Sequence, residues 1–247
     1  VNRPETTVVV NCAGRTRSIM GAESLRSAGI PNKVVALRNG TMGWELAGFT
    51  CDRGQTASFP QGTPKGAAEA FARADAFAKR HGVTFGTRAD LARWQGDTTR
   101  STYVLDVRDP AEYAAGHMPG SRSAPGGQLV QATDQWVAVR HARIVLLDDK
   151  GTRARMTGGW LSQLGGWDVM VLTDGLDGPL ATGPWQPECP EAAAVKLPSL
   201  TPEELAALTA RTTPEIPTGL DYYPLPATGE RFPIGRASCR ERVCQYV

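Results

Sequence analysis

No apolar stretch in this 247-residue sequence approaches the roughly 18 residues that a membrane-spanning helix needs, which excludes a helical membrane protein. An excess of one charge is also missing: 27 basic residues face 25 acidic ones, which leaves no basic footprint for nucleic acid. There is no Cys-x-x-Cys pair, and the five cysteines at 12, 51, 189, 239 and 244 make an odd count. Neither a disulfide framework nor a zinc site is indicated. A Gly-rich nucleotide loop and a cluster of metal ligands are lacking as well. Nothing before Val8 has the form of a signal peptide. What remains is the composition of an ordinary folded protein, 41% hydrophobic and 21% charged, too apolar for a disordered chain. The length fits one or two domains.

Val8-Val9-Val10 is a short β-branched run and predicts a buried strand. A small-residue loop, Cys12 to Arg17, follows it. Ser18 to Ala28 predicts a helix, with Ile19, Ala22, Leu25 and Ala28 spaced by three and Gly29 as its stop. Val34 to Leu37 predicts a second strand, Asn39-Gly40 a turn and Met42 to Ala47 a short helix. Residues 50–66 lack periodicity and read as a linker, and Ala67 to Arg80 reads as a helix. The helix expected over Thr87 to Trp94 has Thr87 as its cap and Asp90 three residues on. Strands are expected at Tyr103–Leu105, Ile144–Leu147 and Val169–Leu172, with a helix through Met156, Trp160, Leu161 and Leu164 between the last two. The chain is rich in Pro and Gly from 175 to 198, and Thr201-Pro202-Glu203-Glu204 has the form of a helix opening that would run to about Ala210.

Cys12 is the candidate nucleophile. It follows a strand and precedes a helix N-terminus, and the loop between contains Gly14, so successive backbone N–H groups can form an anion-binding nest. Arg15 and Arg17 add positive charge. Each of these features lowers a thiol's pKa, and the thiolate is the reactive form. The same loop could hold an oxyanion or stabilise a persulfide. The competing reading, a small buried hydrophobe at a strand end, has the two arginines and the helix start against it. Cys51 and Cys189 lie in linker-like sequence and read as incidental.

The unit recurs. Val8–Leu37 aligns with Ile144–Leu172 at an offset of 136, which becomes 135 after one deletion. Cys12 falls on Asp148, Thr16-Arg17 on Thr152-Arg153, Met20 on Met156, Leu25 on Leu161 and Gly29 on Gly165. Past the deletion, Leu37 falls on Leu172 and Gly40 on Gly175. Two copies of one strand–loop–helix–strand unit are expected, the first without its N-terminal half. A carboxylate at 148 can accept the loop's N–H groups but cannot form a persulfide, so the second copy is expected to be catalytically silent. A one-residue shift would put Asp149 there instead, with the same consequence.

Asp106-Val-Arg108-Asp-Pro-Ala-Glu112-Tyr113, followed by Gly116-His117-Met-Pro119-Gly120, resembles the signature of the rhodanese family. Cys12 to Arg17, with Asn39-Gly40-Thr-Met-Gly43-Trp44 beyond it, is similar to that family's active-site loop. The resemblance covers residues 1–50 and 83–180. It implies an α/β fold of rhodanese-like domains in tandem, each a central parallel sheet flanked by helices, as in a bacterial tandem-rhodanese sulfurtransferase. The implied activity moves sulfane sulfur from thiosulfate or a similar donor, through a persulfide on Cys12, to a thiol or cyanide acceptor. Ala13, Gly14, Arg15, Thr16 and Arg17 would surround the substrate, and Asp148 would mark the inactive equivalent. No cofactor, metal, nucleic acid or membrane is implied, and the location would be cytoplasmic.

Other readings stay open. Asp148 and the missing half of the first copy fit a non-catalytic scaffold or sulfur-relay module. Cysteine phosphatases use Cys-x5-Arg, a longer loop; here Arg17 stands five residues after Cys12 and Ser18 six, which makes phosphatase the minor alternative. His117, in a Gly-His-Met-Pro-Gly turn, reads as structural rather than as a general base, and Asp106, Arg108 and Glu112 as a structural polar cluster. The expected organisation is half a rhodanese-like domain at 1–50, a linker and helix at 51–82, a complete domain at 83–180, a linker at 181–198, the start of a further domain at 199–233 and a non-native tail at 234–247. That tail opens Ile234-Gly-Arg-Ala-Ser-Cys-Arg-Glu-Arg-Val243 and resembles one reading frame of a short-read sequencing adapter. It holds Cys239 and Cys244, and without its Arg236, Arg240, Arg242 and Glu241 the rest of the chain is neutral.

Overall fold

Ile144–Leu147 and Val169–Leu172 are apolar in both alternation phases, as a parallel strand covered on both faces must be. The computed structural model, which describes residues 3–54, 62–186, 201 and 203, places both runs at the centre of a parallel sheet. The strands are β1 Val8–Val10, β2 Val34–Ala36, β3 Thr84–Gly86, β4 Thr102–Asp106, β5 Arg122–Ser123, β6 Arg143–Leu147 and β7 Asp168–Leu172. The helices are α1 Thr16–Ser27, α2 Gly40–Leu46, α3 Pro64–Arg80, α4 Arg88–Gly96, α5 Pro110–Ala115, α6 Gly126–Gln131 and α7 Thr152–Leu164. Strands β3 to β7 form one sheet in the order β3-β7-β6-β4-β5, and β1 and β2 form a separate pair; every pairing is parallel.

Alternation divides the core into two layers. Leu105, Ile144, Leu146, Val169 and Val171 meet Ala78 of α3, Leu129 of α6 and Leu161 of α7 on one face. Val104, Val145, Leu147, Met170 and Leu172 meet Leu91 of α4 on the other. The helix ends follow local chemistry. Thr63 caps α3 by accepting the Gly66 N–H at 3.1 Å, with Pro64 at the first position. Capping boxes open α4, with Thr87 and Asp90, and α5, with Asp109 and Glu112. Helix α1 starts at Thr16, two residues before the expected Ser18, so the end of the Cys12 loop already belongs to its first turn.

Helix α3 packs against α7 and reaches α1. Its Phe77 ring packs where Gly159 of α7 leaves room; a Cβ on Gly159 would lie 2.3 and 2.5 Å from ring atoms. Its Arg73 donates to the carbonyls of Ala28 and Gly29, at 3.1 and 2.6 Å, and so caps the C-terminus of α1. The Trp160 indole N–H of α7 donates to the Ser24 hydroxyl of α1 at 2.8 Å; the two residues stand 136 apart, the offset of the repeat itself.

The chain divides after Gln186 into two units, and the elements above make up the first. Of the helix expected to open at Thr201, only residues 201 and 203 are described. The rest of that helix, the other residues of the further domain expected at 199–233, the tail at 234–247 and Cys189, Cys239 and Cys244 lie outside the described residues. No described helix is long and apolar enough to cross a membrane.

The α3–α7 contact gives a stability test. Gly159→Ala adds helix propensity worth about 1 kcal/mol, but it drives a methyl into the fully buried Phe77 ring. A net loss of about 1–3 kcal/mol is expected in urea unfolding. A gain would show that the ring moves aside freely.

Candidate active site

Cys12 lies at the C-terminal end of β1, where ligands gather in open parallel sheets. Burial of the thiol works against its ionisation. The Ser18 hydroxyl, the backbone N–H groups of Ser18 and Gly14 and the charge of Arg17 outweigh that cost, and together they hold the Cys12 thiol below its ordinary value. The Ser18 hydroxyl also reaches the Arg15 carbonyl at 2.9 Å. A hydroxyl has one proton. It can donate to Arg15 while the sulfur keeps its own proton, and it turns to the sulfur when that proton leaves.

The loop is held from behind by α2. Thr41 N–H donates to the Cys12 carbonyl at 2.9 Å and Met42 N–H to the Ala13 carbonyl at 3.0 Å. This approach needs Gly40, whose φ is +59° and whose Cβ would lie 2.1 Å from the Cys12 oxygen and 2.5 Å from the Gly14 oxygen. Ala13, Arg15 and Thr16 are exposed, whereas Gly14 and Arg17 are half-buried. Arg15 sits at the N-cap of α1 with no side-chain cap bond. A cavity of about 450 Å³ opens beside it, reaching Ile19, Ala36 to Arg38 and Asn39. Cys51 goes the other way from Cys12: desolvation and the neighbouring Glu45 raise its thiol.

The Asp148 loop repeats this geometry between β6 and α7. Asp148 Oδ2 accepts the Arg153 N–H at 2.9 Å, and the Ala154 N–H also points to the carboxylate. Ala154 is the counterpart of Ser18, so the hydroxyl of the first copy is gone. Oδ1 of Asp148 is buried without a partner among the described residues. Burial outweighs the two N–H groups and raises the Asp148 carboxyl above the usual range. Arg153 is neutralised by Glu112, at 2.6 and 3.0 Å, and by Asp149 at 2.8 Å.

The signature residues therefore divide into two groups. Asp106 and Arg108 form a buried pair at 2.6 Å, and the same guanidinium donates to the Gly116 carbonyl at 2.7 Å. Glu112 leaves that pair, caps α5 and reaches across to Arg153. The His117 ring stacks on Tyr113, with centroids 3.8 Å apart, and its Nδ1 lies 2.9 Å from the Tyr113 carbonyl. That is the structural placement expected from its turn. Ser18 and Gly40 were not singled out from sequence as contributors to the site. The signals were present: a small polar residue in the first turn after the loop, and a glycine in an Asn-Gly turn.

A parallel sheet covered by helices on both faces, with a strand–loop–helix anion cradle at its C-terminal edge, defines an α/β domain of a particular kind. Residues 87–181 match the family described as the rhodanese-like domain. The match falls on the Asp148 copy; the Cys12 loop lies outside it. A thiosulfate sulfurtransferase from Pseudomonas aeruginosa is 48% identical, with a TM-score of 0.69, over 84% of this chain. This chain spans 39% of that protein's length. The 3-mercaptopyruvate sulfotransferase from Escherichia coli is 19% identical over 72% of this chain and 69% of its own, with a TM-score of 0.32. A rhodanese with anions from Escherichia coli is 20% identical over 34% of this chain and all of its own, with a TM-score of 0.31. At those scores neither Escherichia coli likeness carries weight. A comparison with curated proteins finds no match.

Two pH measurements test these electrostatics. In Ser18→Ala, the pH midpoint for alkylation of Cys12 by iodoacetamide moves up; an unmoved midpoint would mean that the hydroxyl contributes nothing. Glu112 is held down to about 2 by Arg153, from the ordinary 4.5. Its folded-state pKa is depressed, so its contribution to stability is complete above the ordinary value and fades as pH falls toward 2. Glu112→Gln is therefore less stable than the parent near neutrality and equal to it in strong acid. A gap that persists in acid would locate the loss elsewhere.

Proposed function

We propose that this chain is a segment of a tandem-rhodanese sulfurtransferase in which Cys12 carries the sulfur and the Asp148 copy is silent. The observation behind this reading is the Cys12 loop, where a hydroxyl, two N–H groups and an arginine all favour the thiolate. The Cys12 thiolate attacks the outer sulfur of thiosulfate. A bond from Sγ to that sulfur forms, the S–S bond of the donor breaks, and its electron pair leaves with sulfite. The loop N–H groups, Arg15 and Arg17 stabilise the departing dianion and then the persulfide anion. A thiolate or cyanide acceptor attacks the outer sulfur, the Sγ–S bond breaks, and the electron pair returns to Cys12. Two half-reactions through one covalent intermediate give ping-pong kinetics. Asp148 has no sulfur to offer, and Arg153 beside it has its charge neutralised by acids.

The test is intact-protein mass spectrometry after thiosulfate treatment. The expected result is a gain of one sulfur atom, lost on adding cyanide with release of thiocyanate. Cys12→Ser abolishes both. Transfer that survives Cys12→Ser removes this assignment, and a parent chain that takes up no sulfur leaves the scaffold reading in its place.

A further inference from the structure

The carbonyls of Cys12 and Ala13 turn into the first turn of α2, where they accept the N–H groups of Thr41 and Met42 at 2.9 and 3.0 Å. A trans peptide points its N–H opposite to its C=O. The peptide that gives its carbonyl to Met42 therefore turns its other end, the Gly14 N–H, back to the Cys12 sulfur, where that N–H favours the thiolate. The Met42 N–H, the peptide between Ala13 and Gly14, and the sulfur form one line of donors and acceptors. A side-chain tie fixes the same two elements: Asn11 Nδ2 donates to the Thr41 hydroxyl at 3.2 Å.

The second copy shows the loop without this backing. There the counterparts of Thr41 and Met42 are Leu176 and Asp177, in a stretch, 173–180, that forms no helix. The Asp177 N–H goes to the Asp174 carbonyl at 3.1 Å. Neither the Asp148 nor the Asp149 carbonyl accepts a backbone N–H among the described residues. Gly175, the counterpart of Gly40, has the Leu147 side chain against it, 2.9 Å from where a Cβ would stand, and not the loop carbonyls. Leu147 and Leu176 stand for Asn11 and Thr41, so the side-chain tie is gone as well. The Asp148 loop nevertheless brings the N–H groups of Arg153 and Ala154 to its carboxylate. A strand–loop–helix cradle of this kind thus stands without an α2 behind it. Both donors at Asp148 belong to α7, whereas at Cys12 a loop N–H, that of Gly14, joins the helix N–H of Ser18. The loop N–H occurs where the α2 anchor does.

We infer that Met42 is a positioning residue for the Cys12 sulfur: its backbone N–H, delivered by the Asn39-Gly40 turn, holds and polarises the peptide between Ala13 and Gly14 so that the Gly14 N–H stays on the thiolate. Bonds in line strengthen one another, by about 10–30% per bond. The donor is a main-chain group, so the side chain at 42 gives no sign of it. The inference deepens the proposed sulfur chemistry and rests on Cys12 being its nucleophile. It is read on the free thiol, however, so sulfur transfer can fail while this coupling holds, and the reverse.

The test acts on the backbone. The 247-residue chain is joined at Cys51 from a synthetic segment 1–50 and the remainder. It is made with the native backbone, with the Met42 amide replaced by an ester, and with the same change at Ala47, whose N–H donates to the Gly43 carbonyl at 3.1 Å at the far end of α2. An ester keeps the side chain and removes the donor. The pH midpoint for alkylation by iodoacetamide, read by mass on the Cys12 peptide, is expected to rise by about half a unit in the Met42 ester. It is expected to stay in place in the Ala47 ester. An unmoved midpoint in the Met42 ester, or an equal rise in both esters, overturns the inference. A second measurement needs no altered backbone. In the isotope-labelled native chain, the nuclear magnetic resonance of the Met42 amide proton is expected to move downfield as pH rises, with the midpoint of Cys12 alkylation, and to lose that step in Cys12→Ser. A Met42 amide that does not follow Cys12 overturns the inference, even where an ester chain fails to fold.

Discussion

A helix that begins where a parallel strand ends brings unpaired first-turn N–H groups to one place. In this molecule two such helix starts are met by a side chain just past the strand's end. Cys12 does this for α1 and Asp148 for α7. The rest of each site follows from which group was placed there. A thiol in that position is drawn toward its charged form. A carboxylate in the same position is already an anion of the right shape; it fills the cradle from within, and burial pushes its proton affinity up instead.

The two loops also differ in what surrounds the arginine five residues on. Arg17 has no acidic partner among the described residues and its charge favours the Cys12 thiolate, whereas Arg153 is paired with Glu112 and Asp149. The hydroxyl of Ser18 becomes the methyl of Ala154. The change from thiol to carboxylate is therefore one of several differences between the two loops.

Much of this was legible in the sequence because the informative segments are long or capped. Val169–Leu172 and Ile144–Leu147 announce themselves by continuous apolarity, and Thr87 with Asp90 marks the start of α4. The missed elements are short or lack a period. Strand β3 is Thr-Phe-Gly and exists because β7 offers it an edge. Strand β5 has two residues, held by β4. Helix α6 opens on Gly126-Gly127, a poor start that packing against α7 makes good. Helix α5 carried a full capping signal, Asp109-Pro110 with Glu112, but it lies inside the signature segment and was read there as polar clustering. At the site, the loop residues were read from their types, while Ser18 and Gly40 depend on distances that a linear sequence does not carry.

The bond from Trp160 to Ser24 joins the same helical position in the two copies. In a two-fold dimer, contact between equivalent positions occurs on the axis itself, where residue i meets its own image. A symmetric pair must use one residue type on both sides, and two tryptophans could not make this bond, because an indole can only donate. On a single chain the two sides are released from that identity. One side has become the donor and the other the acceptor, and the contact depends on the symmetry having been broken.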